Sequence, residues 1–528
     1  MNHMRTTARG VKTLAGMTIT ALALSACGGS AQEGGGEGEA GGDGPTSFTA
    51  AVAYETDNYH PSSTASALAL GANWHVMEGL FELDMTTGEP RAALAADDDL
   101  NEVSETEYEI TLRDGAQFSD GTDVTAADVI ASFEKAADPE NIYGPMLDFI
   151  DEVTEVDETT VSISLAYPFT LVKERLALVK IVSADASDED LTNQPIGTGP
   201  WVYESISQDR VEFSPNENYD GDRPAQADEM AWDVILDDTA RTTALQEGSV
   251  QVAEAVPADM QDVLTGAGAE VEAVQGFNLP FLMFNTTKEP FDDPLVRQAI
   301  HYAIDAEQLV ENAMSGTAEP ATSFLPEDHD NYNEASNVFD HDPDMAQELL
   351  DEAGVDDLSL TLITTDHEWI TALAPQIQNN LGEVGIDVTL QEEASASLYA
   401  NFTDVDDPTY DVALAPGDPS VFGSDPDLLM NWWYGDNIWT QQRSYWSDSE
   451  GFEQLHEILD EAVQAEDEGE QQELWNDAFD LVSEEVPIYP LFHREVLTGY
   501  QPDALSGYEP IGTTGLSFVD TEPGDGDS

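Results

Sequence analysis

GFNLPFLMFNTTKEPFDDPLVRQAIHYAID, residues Gly276 to Asp305, places a strand, a turn and a helix start in direct succession. Phe281 to Phe284 is an apolar run of strand length, closed by Asn285 and two threonines. Pro290 and Pro294 then bar regular structure until residue 294. Asp293-Pro294 predicts a helix start, because the aspartate can accept from free first-turn N–H groups and proline has no N–H to lose at the first helical position. Leu295, Val296, Ala299, Ile300, Ala303 and Ile304 fall on one face and predict a buried stripe. Asp305 and Gln308 repeat a cap-like pair, so a second helix is expected there. Alone, this physics gives a packed strand and helix.

The surrounding chain has 528 residues, enough for two or more domains. It carries 107 acidic and 16 basic side chains, a formal net charge of -91. So negative a surface repels phosphates and anionic lipid, which excludes nucleic acid or membrane binding through a basic face. It also repels itself, and that repulsion shrinks as the screening length falls from ~8 Å at physiological ionic strength to ~3 Å at 1 M. The charge therefore predicts adaptation to high external salinity, while nine Trp, 19 Phe and regular amphipathic periods argue against a disordered acidic chain. Stability followed by circular dichroism is expected to rise between about 0.05 M and about 2 M NaCl. Equal stability at the two salts would sink the adaptation.

Arg5, Arg9 and Lys12, followed by the apolar stretch from Leu14 to Leu24, predict a targeting signal over residues 1–26, too short to span a bilayer. Leu24-Ser25-Ala26-Cys27 resembles the bacterial lipoprotein box, which implies that Cys27, the only cysteine, becomes a lipidated N-terminus. Residues 27–46 read as a flexible Gly- and Glu-rich tether. No later stretch is apolar enough to cross a membrane, so the lipid would be the sole attachment. With one cysteine there is no disulfide.

Further on, Tyr108, Ile110 and Leu112 alternate as a half-buried strand, and Thr125 with Asp128 forms a cap before a helix whose stripe is Val129, Ile130 and Phe133. The wordings WHVMEGLFELDMTTGEP from Trp74, YEITLRDGAQFSDGTDVTAADVIASFEK from Tyr108, Ile196 to Trp201 (IGTGPW) and FNTTKEPFDDPLVRQAIHYAID from Phe284 resemble the extracytoplasmic solute-binding proteins of peptide- and nickel-type ABC importers, family 5. The resemblance spans roughly residues 50 to 510. It implies an α/β, two-lobed periplasmic-binding-protein-like fold of type II with a discontinuous first lobe. Lobe I would comprise residues 47–276, with an extra α+β subdomain at about 77–195. Lobe II would be 277–485, the return to lobe I 486–519, and 520–528 an acidic tail. Gly276 to Asn285 is then expected to supply one strand of the hinge and Pro487 to Phe492 the return, with Phe284, Asn285 and Pro487 as its residues, and Arg297 is expected to tie a helix rather than grip a ligand.

Tyr410 to Trp446 holds the densest aromatic concentration, and its strand ends in a Gly- and Pro-rich loop, where α/β folds carry ligand sites. The resemblance implies an aspartate here that pairs with a peptide's amino group: Asp418, with Asp425 as the fallback. Trp433, Tyr434, Trp439 and Trp446 are candidates to line an apolar cleft, although such clusters also build cores. Arg443 could clamp a ligand carboxylate or pair with an acidic neighbour. Tyr54 and Asn58, in the loop after the first strand, are candidates from lobe I or ordinary turn residues.

The histidines lack HExxH or paired helical spacing, and neither a nucleophile elbow nor a P-loop is present. Asn216 to Gly221 imitates half an EF-hand loop, but Ala227 stands where the twelfth-position glutamate belongs. No catalytic residue, metal site or cofactor is therefore expected. The expected role is a non-enzymatic monomer outside the cell that captures short peptides for an ABC permease with separate ATPase subunits. A nickel complex or an oligosaccharide is the alternative ligand, and a secreted lipoprotein hydrolase the rival class.

Overall fold

The computed structural model describes residues 46–138, 141, 143–405 and 408–524. The signal, Cys27, the tether up to residue 45 and the last residues of the acidic tail, 525–528, lie outside them. Three sheets organise the described chain. Val252–Ala253, Ser47–Val52 and Glu229–Val234 are parallel neighbours in the first, which Glu270–Gln275 and Phe492–Tyr500 extend at one side and Arg210–Pro215 and Trp201–Ile206 at the other. The second sheet runs Asp387–Glu393, Ser359–Thr365, Val412–Gly417, Leu279–Phe284, Ile488–Pro490, its first three strands parallel. A four-stranded antiparallel sheet of Asn101–Ser104, Glu107–Thr111, Thr160–Leu165 and Ile150–Asp157 forms the subdomain. The fold is thus the expected two-lobed α/β architecture, its first lobe made from both ends of the chain.

Local chemistry acts where the sequence places it. Asp293 accepts from Leu295 N at 3.0 Å and starts helix Pro294–Ala303, and Asp305 accepts from Gln308 N at 2.9 Å and starts Ala306–Ala313. Val296, Ala299, Ile300, Ala303 and Ile304 are buried. Thr125 and Asp128 form a reciprocal capping box on helix Ala126–Ala136. Arg297 donates to the carbonyls of Phe291 and Glu485, which ties its helix to the end of helix Glu468–Glu485.

The apolar cores are divided unevenly. One cluster runs from the subdomain into lobe II, with Tyr143 edge-on to Phe422 at 5.7 Å, while the first sheet keeps two clusters of its own. Arg175 reinforces the join: its guanidinium meets both Asp425 oxygens at 2.7 and 2.8 Å and Asp427 at 2.6 Å.

The crossings fall inside the expected hinge segments, but the residues named for them need correction. Glu270–Gln275 belongs to the first sheet and Leu279–Phe284 to the second, so the outward crossing is at residues 276–278. The return crossing is at Leu491, between Ile488–Pro490 and Phe492–Tyr500. Phe284, Asn285 and Pro487 lie at the far end of the lobe II strands, where Phe284 N donates to Pro487 O at 3.0 Å and Asn285 Nδ2 to Tyr410 O at 3.2 Å. At the outward crossing Gly276 rests on Gly512 main chain to main chain. A Cβ on Gly276 would lie 1.6 Å from Gly512 O, and one on Gly512 would lie 2.3 Å from Gln275 O.

Candidate functional site

Carboxyl ends of parallel strands converge on the gap between the two main sheets, the usual ligand position in open α/β folds. From lobe I, Tyr54 follows Ser47–Val52 and Glu254 follows Val252–Ala253. From lobe II, Trp369 follows Ser359–Thr365 at the start of helix Glu368–Glu383, and Asp418 follows Val412–Gly417. Phe492–Tyr500 runs antiparallel, so its beginning, with Arg494, lies at the same end.

Asp418 joins the lobes. Its Oδ1 accepts from Ser420 N and Oγ, and its Oδ2 accepts from Thr514 N at 2.9 Å, Thr514 Oγ1 at 2.7 Å and Thr513 Oγ1 at 3.4 Å. Asn278, at the crossing, donates from Nδ2 to Thr514 Oγ1 at 3.4 Å and accepts from Arg494 Nη1 at 3.4 Å. The Arg494 guanidinium lies 4.1 Å from the centroid of Trp369 on the other lobe. Tyr54 is 38% exposed, and desolvation, with help from Glu254, raises its hydroxyl pKa. Burial also raises that of Glu254, whose Oε2 accepts from Ala53 N at 2.9 Å.

Two cavities lie beside this cluster, and neither is lined by Tyr54, Glu254, Trp369, Asp418 or Arg494 themselves. The larger, about 480 Å³, is walled by Gly276, Phe277, Ser420, Gly512 and Thr513 and by loops 83–90 and 328–331. The smaller, about 240 Å³, is bounded by Leu70, Trp74, Tyr143, Lys180, Val421 and Phe422. The loop after Asp418 contributes to both.

Several candidates turn out to be framework. Trp433, Tyr434, Trp439 and Trp446 are buried in the lobe II core: Trp433 packs on Phe281 and Trp439, Tyr434 donates to Ile488 O at 2.6 Å, and Trp446 Nε1 reaches Glu485 at 3.4 Å. Arg443 pairs with both oxygens of Asp404 at 3.0 and 3.1 Å, between Tyr399 and Trp439, which leaves its fork occupied. Asn58 accepts from His60 N at 3.0 Å within its own turn. Asp425 is filled by Arg175. Among the expected residues, Asp418 and Tyr54 face the gap. Sequence reasoning missed Arg494, Trp369, Thr513 and Thr514; the rule that strand ends carry sites points to Trp369, four residues after its strand ends at Thr365.

Asn216 Nδ2 donates to Gly199 O at 2.8 Å and Asp220 pairs with Arg113 at 2.9 Å, so the EF-hand-like letters serve a turn. Among the described residues no cluster of three metal-binding side chains occurs, and no helix is long and apolar enough to cross a membrane.

Residues 89–441 match the family model of bacterial extracellular solute-binding proteins, family 5, middle region. The glutathione-binding protein GsiB of Escherichia coli (strain K12) is 27% identical over 444 residues, covering 79% of this chain and 83% of that one. The dipeptide-binding protein of Pseudoalteromonas sp. SM9913, solved with Met-Leu, superposes with a TM-score of 0.77 at 20% identity over 90% of this chain and 100% of that one. The PBP AgaA from A. tumefaciens R10, solved with agropinic acid, superposes at 0.78 with 26% identity, over 90% and 98%. With two thirds of its length inside the family model and the two-lobed fold around a strand-end gap, the chain belongs to the bacterial extracellular solute-binding proteins of family 5.

Proposed function

We propose that the protein is a lipid-anchored receptor that takes short peptides in the gap between its lobes and delivers them to an ABC permease powered by separate ATPase subunits. The observation that carries this reading is the gap itself, where opposite charges, Asp418 and Arg494, stand at strand ends of different lobes. A peptide in its zwitterionic form carries the matching pair of charges. Tyr54 would contribute contact area from lobe I and Trp369 from lobe II. The Thr513 and Thr514 hydroxyls now at Asp418 can turn away, and an ammonium group would take their place on its oxygens.

In this reading the lobes turn about residues 276–278 and Leu491, with the Gly276–Gly512 contact between them. Cys27 would carry the lipid that keeps the protein on the outer face of the cytoplasmic membrane, with residues 27–46 as tether. The family's role as solute-binding proteins and the GsiB and Met-Leu relatives support capture over hydrolysis.

Native mass spectrometry of the protein extracted from membranes tests both parts. The expected result is a chain beginning at Cys27 with a diacylglycerol adduct, releasing a mixture of short peptides. An unmodified mature chain would remove the lipid. Release of a single glycan or a metal complex would overturn the peptide.

A further inference from the structure

Arg494 is an anomaly in this chain. Every other described arginine has an Asp or Glu oxygen within 3.4 Å, as 107 acidic side chains make easy. Arg494 makes no ion pair among the described residues. Its guanidinium spends one long hydrogen bond, 3.4 Å, on Asn278 Oδ1, and its other N–H groups have no acceptor among the described residues. The anionic neighbour that faces it across the gap, Asp418, is committed to Ser420, Thr513 and Thr514.

Its setting is that of a receptor rather than a strut. The cation lies over Trp369, 4.1 Å from the ring centroid, so an aromatic face stabilises the charge, and of the in-plane N–H groups only those on Nη1 have an acceptor among the described residues. A planar fork with a free edge matches a carboxylate in two parallel hydrogen bonds. The backbone fixes it as well: Arg494 N donates to Asn278 O at 2.7 Å, three residues from the return crossing at Leu491. Burial lowers the Arg494 pKa, a cost that an arriving anion would offset.

We propose that Arg494 is a specificity-determining residue that holds a carboxylate of the ligand, so that the gap selects peptides by a free carboxyl end. This rests on the peptide reading above. It adds that the cation comes from lobe I and its aromatic support from lobe II, which ties selection to closure.

The test is retention of a mixed library of di- and tripeptides, offered once as free acids and once as C-terminal amides, by the full chain and by Arg494→Gln. The intact protein should retain free acids about tenfold or more over amides, the range of a charged hydrogen-bonded pair. Arg494→Gln should retain both forms alike, and Arg494→Lys should recover part of the preference. A urea midpoint equal to that of the parent shows that the variants fold. If Arg494→Gln keeps the full preference, or the parent shows none, Arg494 is not the selector and the peptide reading stands. If the parent retains neither form, the peptide reading falls and this inference falls with it.

Discussion

Arg175→Ala is expected to lower stability by about 3–5 kcal/mol, the range for removing one partner of a buried ionic cluster. Arg175 is 1% exposed and serves two carboxylates that are themselves nearly closed off. Burial by itself would raise the pKa of Asp425, but the two-pronged contact with Arg175 outweighs it and holds that carboxyl below the ordinary range. Asp427 shares the same guanidinium on one oxygen only, and burial, with the charge of Asp425 beside it, pushes its pKa up. Without the arginine, two carboxylates would face each other in an apolar join between subdomain and lobe II. Urea unfolding at neutral pH measures the loss, and a change under about 1 kcal/mol would mean that water reaches the cluster. Arg175→Met combined with Asp425→Asn and Asp427→Asn should restore most of the loss, because no uncompensated charge remains.

Mild acid should weaken the fold before most carboxylates titrate. Burial lowers the pKa of His75 and His493 from 6.5 to about 4 and that of His301 to about 3. His75 shows the structural reason: Nδ1 donates to Gly71 O at 2.7 Å and Nε2 accepts from Phe518 N at 2.8 Å, so a second ring proton would face an N–H. His301 is enclosed by Phe284, Phe339 and Tyr489. Because the folded values lie below 6.5, the unfolded chain binds more protons than the folded one between about pH 6.5 and 4. Stability is therefore complete above about pH 6.5 and falls as pH drops, by roughly 3 kcal/mol for each of His75 and His493 over the whole window. Urea midpoints taken from about pH 7.5 down to about pH 4.5 should decline steadily. A flat profile would mean that these rings gain protons without penalty.

Local rules were legible in the sequence because each acts within a few residues. Asp293, Asp305 and Thr125 cap the helices that their spacing announces. Asp418 came from the family resemblance rather than from local spacing, and it stands just past the end of Val412–Gly417. The aromatic run was ambiguous by nature: burial in a core and exposure in a cleft favour the same side chains, and only packing on Phe281 and Ile488 assigns Trp433 and Tyr434 to the core. The two hinge segments, 276–285 and 487–492, contain the crossings, but Phe284, Asn285 and Pro487 stand at their far ends, because an apolar segment does not reveal which of its ends meets the other sheet. Arg494 could not be found from the chain alone, since what marks it is a missing partner, and partners come from residues as distant in sequence as Asn278.

An arginine with no ion pair among the described residues, in a molecule of net charge -91, has a kinetic consequence. Far from the surface a solute meets only the negative field, so the molecule sorts visitors by total charge before Arg494 can act. A zwitterion with no net charge approaches unhindered, whereas a multiply anionic solute is slowed on the way in. Salt shortens the reach of that field without abolishing the close contact at the guanidinium. In brine, the encounter rate for acidic solutes therefore approaches that for neutral ones, and the range of solutes captured in a given time widens with the salinity of the surroundings.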